Sequence, residues 1–299
     1  MTNASVRRKM TMQGKLEIKG FLFVLPALLF FLVFVLIPVV MAIVLAFTDY
    51  NGIGEMHFNG LTNFKNIFTL DDVFWISFRN VAWYALFAVP LSVILPLLYA
   101  LLINSKTPGK KVFRAIYYIP GLTSAVAAAT VFRLVFNPDI GVVNSFLAVF
   151  GISGPQWLES SDTAMLTIVI LAMWQGIGGN MIIYSAALTG ISPELYEAAE
   201  LDGASKVRMF FSITLPLLMP TTFFITMSII GAFQLYDQVL MMTNGGPANS
   251  TVTPVFVIYN RAFGTNTNMG YASAQAVILF VVIGAISFVT QKLVKDRAY

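Results

Sequence analysis

The sequence specifies an all-α integral membrane protein with six transmembrane helices, and three observations carry that expectation. First, 58% of the 299 residues are hydrophobic and only 11% are charged, against about a quarter charged in ordinary soluble domains. Second, the charges are banked at a few places, leaving stretches long enough to cross a bilayer. Third, lysine and arginine divide unevenly between the two sides that six spans would create. The termini and the even-numbered loops hold 14 of the 18: Arg7, Arg8, Lys9, Lys15, Lys19, Lys106, Lys110, Lys111, Arg114, Lys206, Arg208, Lys292, Lys295 and Arg297. The opposite side holds Lys65, Arg79, Arg133 and Arg261. Positive loops stay in the cytoplasm, so both termini are expected there. A misplaced span would destroy this asymmetry. The organisation is therefore a tail (1–19), a six-span domain (20–291) and a second tail (292–299).

The first apolar run, Gly20 to Phe47, is free of charge and much longer than the apolar region of a signal peptide, with a bend expected at Pro38. A polar loop, 48–73, contains Asp49, Glu55, His57, Asp71 and Asp72. The second span runs from about Trp75 to Ile103, interrupted by Pro90 and Pro96. The third covers about Ala115 to Phe136, closed by Asn137-Pro138-Asp139, and a loop rich in Gly, Ser and Pro reaches Asp162. The fourth is Thr163 to about Leu188, the fifth about Thr214 to Met242 and the last about Tyr271 to Val289. Thr243-Asn244-Gly245-Gly246-Pro247 is a turn by composition.

Several chemistries are excluded. With no cysteine there is no disulfide framework or thiolate metal site, and the lone His57 leaves no histidine cluster or relay. The carboxylates fall in loops or at helix rims, so neither a catalytic set nor a metal set is present. The formal charge of +4 comes from loop residues and signals no nucleic-acid partner. No G-x-x-x-x-G-K-[ST] occurs: Gly14-Lys15 and Gly109-Lys110 lack the upstream glycine and the hydroxyl residue, so the chain does not cradle nucleotide phosphates by that route.

Two regions stand out. In the loop 190–216, Ser192-Pro193 reads as a helix start, and Glu194, Glu197 and Glu200 share about a third of the helical circumference. Leu195, Ala198 and Ala199 form a small apolar face, Asp202-Gly203 ends the helix by a left-handed glycine, and Ala204, Val207, Phe210 and Phe211 stripe a second short helix. This is a compact knob suited to another protein's groove; the blander reading is a capped loop between spans. Polar groups at membrane depth mark the second region, because they are costly there and face the interior or a wet cavity. They are Trp174, Gln175 and Asn180, with Gly176, Gly178 and Gly179 between them, and Thr226, Ser228, Gln234, Tyr236 and Asp237. Gln234 and Asp237, three apart, are expected on one helical face. Amides and rings suit a neutral polyhydroxylated solute, while hydrogen bonds between helices are the structural alternative. Asp237 could equally pair with Arg133 or sit at the wet rim. Trp75, Trp83 and Trp157 read as interfacial anchors or packing.

Glu197-Ala198-Ala199, Gly203, then Ile213, Leu215 and Pro216 reproduce a spacing that resembles the EAA motif of ABC importer permeases. Phe233-Gln234-Leu235-Tyr236-Asp237 with Met242-Thr243-Asn244-Gly245-Gly246-Pro247 resembles carbohydrate-uptake permeases of the maltose and glycerol-phosphate type. So do Tyr259-Asn260-Arg261-Ala262-Phe263, Gly270-Tyr271-Ala272-Ser273-Ala274, the Phe136–Asn144 stretch and Gln156-Trp157-Leu158. The resemblance covers nearly the whole chain, but the very large second external loop of the maltose permease is missing.

The resemblance implies the type I ABC importer permease fold in a bacterial cytoplasmic (inner) membrane, with the EAA knob as a cytoplasmic coupling helix. Coupling residues would be Glu197, Ala198, Ala199, Asp202, Gly203, Ile213, Leu215 and Pro216. The implied partners are a second homologous permease, two ATPase subunits that bind ATP and Mg, an extracellular solute-binding protein and the lipid bilayer. The chain itself would bind no cofactor and catalyse no reaction. A solute site is implied on the spans flanking the knob, without fixing individual contacts. Disaccharide, oligosaccharide, polyol and glycerol phosphate all remain open, although scarce outer-side basic residues favour a neutral sugar. A secondary carrier would call for ionisable residues on several spans and for inverted repeats. A non-transporting scaffold would have no use for the amide-lined, glycine-rich fourth span.

Overall fold

The computed structural model describes residues 12–104, 109–218 and 222–295. The ends of both tails, and Lys106 between the second and third spans, lie outside the described residues. The first apolar run is α1 (Met12–Phe31), a π-turn (Leu32–Leu36) and α2 (Ile37–Leu45). The π-turn immediately precedes Pro38, whose ring would clash with the carbonyl four residues back; the wider turn absorbs that clash without ending the rod. None of the residues in its most apolar stretch is buried, so most of the rod's surface is uncovered, although α2 packs against the last helix.

The polar loop that follows is more structured than its composition indicates. Thr48–Asp49 and His57–Phe58 pair as a two-stranded antiparallel ribbon, and α3 (Thr62–Leu70) packs against the last helix. Asn63 donates to the carbonyls of Ala46 and Thr48 at 3.0 and 2.9 Å, which fastens α3 beneath the ribbon. α4 (Asp72–Asn104) then runs unbroken through Pro90 and Pro96, contrary to the interruptions expected there.

The third apolar run is not straight. α5 (Lys110–Leu122) and α6 (Ala125–Val135) meet at 103°. Pro120 sits in the last turn of α5, and Thr123 and Ser124 are both extended, at ψ 145° and 135°. α7 (Val142–Val149) lies in the following loop, and α8 (Ala164–Thr189) is continuous. α9 (Pro193–Leu201), α10 (Lys206–Met209), a second π-turn (Phe210–Thr214) and α11 (Leu215–Leu217) form the knob and its exit. Again the π-turn comes just before a proline, here Pro216.

The fifth apolar run is broken as well. α12 (Thr222–Phe233) stops, Gln234 to Tyr236 are non-helical, and α13 (Asp237–Met242) starts afresh. The break frees a backbone carbonyl inside the protein, and the fully buried Thr253 hydroxyl donates to it, on Leu235, at 2.6 Å. α14 (Pro254–Phe263) and α15 (Met269–Lys295) are the last elements among the described residues.

Among the described residues, four helical stretches are long and apolar enough to cross a bilayer, and the bent α5–α6 pair makes up to five. The main core lies where α4, α8, α12, α13, α14 and α15 converge, around Ile168, Leu171, Val81 and Val239. Large side chains elsewhere stay exposed, such as Phe23, Phe280 and Phe288, as expected where hydrocarbon or another subunit replaces water.

At the non-knob end, Asp71 ties three elements together. Its carboxylate accepts from the Phe74 amide at 3.1 Å, the Tyr271 hydroxyl at 3.0 Å and the Gln275 side-chain amide at 2.8 Å. Asp71→Ala would leave one buried donor of α15, Gln275, and one half-buried donor, Tyr271, unpaired, at a cost on the order of 1–3 kcal/mol. A fall in the thermal midpoint of the purified protein is the expected result; an unchanged midpoint would show that the network bears no stability.

Candidate functional site

The knob is built by helix-end chemistry. Ser192 stands at the N-cap with Pro193 at the first helical position, but its side chain makes no capping bond. The C-terminus is closed in the Schellman arrangement. Asp202 is the C-cap, Gly203 follows at φ +74°, the Gly203 amide donates to Glu200 and the Ala204 amide donates to Ala199. Ser205 then caps α10 by accepting from the Arg208 amide at 3.3 Å. The Tyr196 hydroxyl lies 2.9 Å from that of Thr214, which locks α9 to the turn entering α11.

Glu194, Glu197, Ala198 and Glu200 are exposed, and none of the glutamates forms an ion pair among the described residues. Leu201 is 90% exposed, Val207 68% and Phe211 61%, so the expected apolar stripe of the second helix is largely uncovered. Ala199, Asp202 and Ile213 line a small cavity of about 230 Å³ between the two arms. Leu215 and Pro216 lie in α11. Exposed apolar residues beside exposed carboxylates on a rigid knob suit a protein groove better than a free loop.

The residues of the second region do not all converge. Asn180 donates from its amide to the Ser92 carbonyl at 3.2 Å, and the Ser92 and Ser228 hydroxyls are 3.0 Å apart. These contacts join α8, α4 and α12, so Asn180 and Ser228 act at least partly as the interhelical link that was the alternative reading. Ser92 escaped notice in the sequence, although a lone serine between Pro90 and Pro96 in an apolar run was signal enough. Trp174 packs on Phe132 of α6, ring centroids 5.1 Å apart. Gln175 is half-buried and makes no side-chain hydrogen bond among the described residues.

Gln234 and Asp237 do not share a helical face, because the break between α12 and α13 separates them. The expectation of one continuous helix failed because a buried hydroxyl eighteen residues on stabilises the opened backbone. Both side chains are exposed and make no hydrogen bond or ion pair among the described residues, so Asp237 is not paired with Arg133. Tyr236, between them, packs on Tyr259 of α14 with centroids 4.9 Å apart. α13 also packs against α6, bringing the two broken runs together.

The glycines of α8 play different parts. A Cβ at Gly178 would meet the Tyr117 carbonyl oxygen and lie 2.8 Å from Tyr118 Cα, whereas Gly176 and Gly179 have nothing within 4 Å. Gly178 therefore permits close packing of α5 on α8, and the helix is not opened there.

Long apolar helices, two of the runs broken, and a rigid amphipathic knob between two of them define a polytopic membrane protein built to meet a partner. The chain belongs to the family of binding-protein-dependent transport system inner membrane components, whose model matches residues 80–298. It is a transport subunit rather than an enzyme. The arabinooligosaccharides transport system permease protein of Bacillus subtilis (strain 168) is 34% identical over 279 residues, 91% of this chain and 87% of that protein. The lactose transport system permease protein of Rhizobium radiobacter is 35% identical over 288 residues, 94% of this chain and 95% of that one. The fold is shared with a chain of a bacterial alginate ABC transporter, solved in complex with an alginate pentasaccharide-bound periplasmic protein. The TM-score is 0.84 at 23% identity, covering 95% of this chain and 96% of that chain.

Proposed function

We propose that this chain is the permease subunit of an ATP-driven, binding-protein-dependent sugar importer and forms half of the translocation pathway. The observation that carries the reading is the Schellman-closed knob, with Glu197-Ala198-Ala199 exposed or half-exposed on a helix locked to the turn that enters α11. The names of the arabinooligosaccharide and lactose relatives support a sugar as cargo. In this reading α11, α12 and α13 together make the fifth of six spans, within a transmembrane domain of 20–291. The tails 1–19 and 292–299 and the coupling loop 190–216 are cytoplasmic.

The partners are a second homologous permease, two ATPase subunits and an extracellular solute-binding protein. ATP and Mg belong to the ATPases, and this chain holds no cofactor. Closure of the ATPase pair draws the two knobs together. Glu197, Ala198, Ala199, Asp202 and Gly203 sit in the ATPase cleft, and the Tyr196–Thr214 link passes the movement through Ile213, Leu215 and Pro216 into the fifth span.

Trp174, Gln175, Asn180, Ser228, Gln234, Tyr236 and Asp237 line the solute path. Gln234 and Asp237 have unused hydrogen-bonding capacity, while Asn180 and Ser228 hold the helices in place. Gln234→Ala is expected to raise the KM for solute up to roughly tenfold, the worth of one hydrogen bond, with basal ATPase activity unchanged. An unaltered KM would remove Gln234 from the path.

The function is tested by uptake of labelled arabinooligosaccharide, lactose and glycerol phosphate into proteoliposomes carrying the four-subunit complex. The expected result is uptake of a neutral sugar that requires both ATP and the binding protein. Uptake driven by a proton gradient without ATP would contradict the reading.

A further inference from the structure

We infer that the outer end of α4 carries a binding site for the headgroup of a zwitterionic phospholipid with a primary ammonium. The inference takes from the proposed function only the membrane orientation, not the cargo. A cavity of about 460 Å³ lies between α4, the segment before α8 and the loop before α14, within the range of small-molecule sites. Its lining includes Arg79, Trp83, Asp162, Asn249 and Ser250.

Arg79 and Asp162 are exposed there, and neither side chain has an ion-pair partner among the described residues. The Ser250 hydroxyl oxygen is buried without a hydrogen-bond partner. Asn80 does not contribute its amide to a ligand, because it donates to the Asn249 and Val252 carbonyls at 2.8 and 3.0 Å. That bond instead fixes the loop wall against α4. The cavity therefore presents one unpaired cation, one unpaired anion and spare hydroxyl capacity on a rigid frame.

Depth identifies the ligand class. α4 has 33 residues, about 50 Å of helix at ~1.5 Å per residue, against a hydrocarbon core of about 30 Å. Val81 to Ile103 carry no charge, so the surplus lies at the N-terminal end, and Arg79 and Trp83 sit in the outer headgroup layer. Below the cavity, on the same face of α4, Leu86, Phe87 and Ile94 are 67%, 41% and 50% exposed. Trp83 and Phe87 pack together at the junction, 4.7 Å between centroids, where interfacial aromatic residues belong. A polar cavity above an apolar stripe matches a lipid: phosphate on Arg79, ammonium on Asp162, acyl chains along the stripe. An anionic headgroup would satisfy Arg79 but be repelled by Asp162. A free sugar would leave both charges unanswered.

The test is lipid retention by the purified four-subunit complex, delipidated and given equal amounts of phosphatidylethanolamine, phosphatidylglycerol and phosphatidylcholine, then read by native mass spectrometry. Phosphatidylethanolamine is expected to be retained over the others. Asp162→Asn should cut its advantage over phosphatidylglycerol by roughly fivefold, the scale of one exposed ion pair. Arg79→Gln should lower retention of both, Arg79→Lys should restore it, and Lys65→Ala should change nothing. Equal retention of the three lipids, or Arg79→Gln and Asp162→Asn complexes that assemble and retain lipid as the parent does, would overturn the proposal. So would displacement of the lipid by a neutral oligosaccharide. ATP-dependent sugar uptake, measured in parallel, reports on the importer reading independently.

Discussion

Gly203→Val is expected to abolish solute-stimulated ATPase activity in the assembled transporter while leaving its insertion intact. Gly203 occupies φ +74° between the C-cap of α9 and the start of α10. A β-branched residue there is a backbone outlier, at a cost of about 1–3 kcal/mol. Escaping that strain breaks the Gly203-to-Glu200 and Ala204-to-Ala199 bonds and swings α9 relative to α10. Nothing lies within 4 Å of the Cβ position, so the effect is one of backbone conformation and not of crowding. Gly203→Asn separates the two, because a short polar side chain tolerates the left-handed region. It should keep most of the stimulation, whereas the valine variant should lose at least roughly tenfold. Equal activity in both would show that the turn does not set coupling.

Gly178→Ala is expected to be the most damaging of the small substitutions in α8. The added methyl would press on the Tyr117 carbonyl and lie 2.8 Å from Tyr118 Cα. Both contacts are backbone, so α5 and α8 must separate. Overpacking of this kind costs about 1–3 kcal/mol, or a midpoint lowered by roughly 2–5 °C for a chain of this size. Gly176→Ala and Gly179→Ala meet open space and should change stability by less than about 1 kcal/mol. Thermal unfolding of the three variants in one detergent decides it. Equal losses would mean that α5 and α8 are not in close contact in the membrane.

What the sequence made legible was whatever depends on local rules. Ser192, Pro193 and Gly203 marked the ends of α9 because caps and left-handed turns are read from residue type at fixed offsets. The second, fourth and last apolar runs were visible because charge-free length is a local property. The breaks were not. Pro90 and Pro96 looked like interruptions and are carried through α4, while α5–α6 and α12–α13 divide at positions that look no weaker. Each outcome depends on what surrounds the backbone: Thr253, remote in sequence, accepts the burden of the opened turn at Leu235. The same blindness placed Gln234 and Asp237 on one face. The Asp71 network was hidden because its partners, Tyr271 and Gln275, lie two hundred residues away.

The central claim is that the loop 190–216 meets a cytoplasmic ATPase. The sequence contains no cysteine, so Ala198→Cys provides a single reactive thiol on the exposed face of α9. In intact cells this thiol should resist a membrane-impermeant maleimide and react with it only after the cytoplasmic side is opened. A photo-crosslinker attached there should join the chain to the ATPase subunit. Labelling from outside the cell, or crosslinking to the extracellular binding protein instead, would contradict the account.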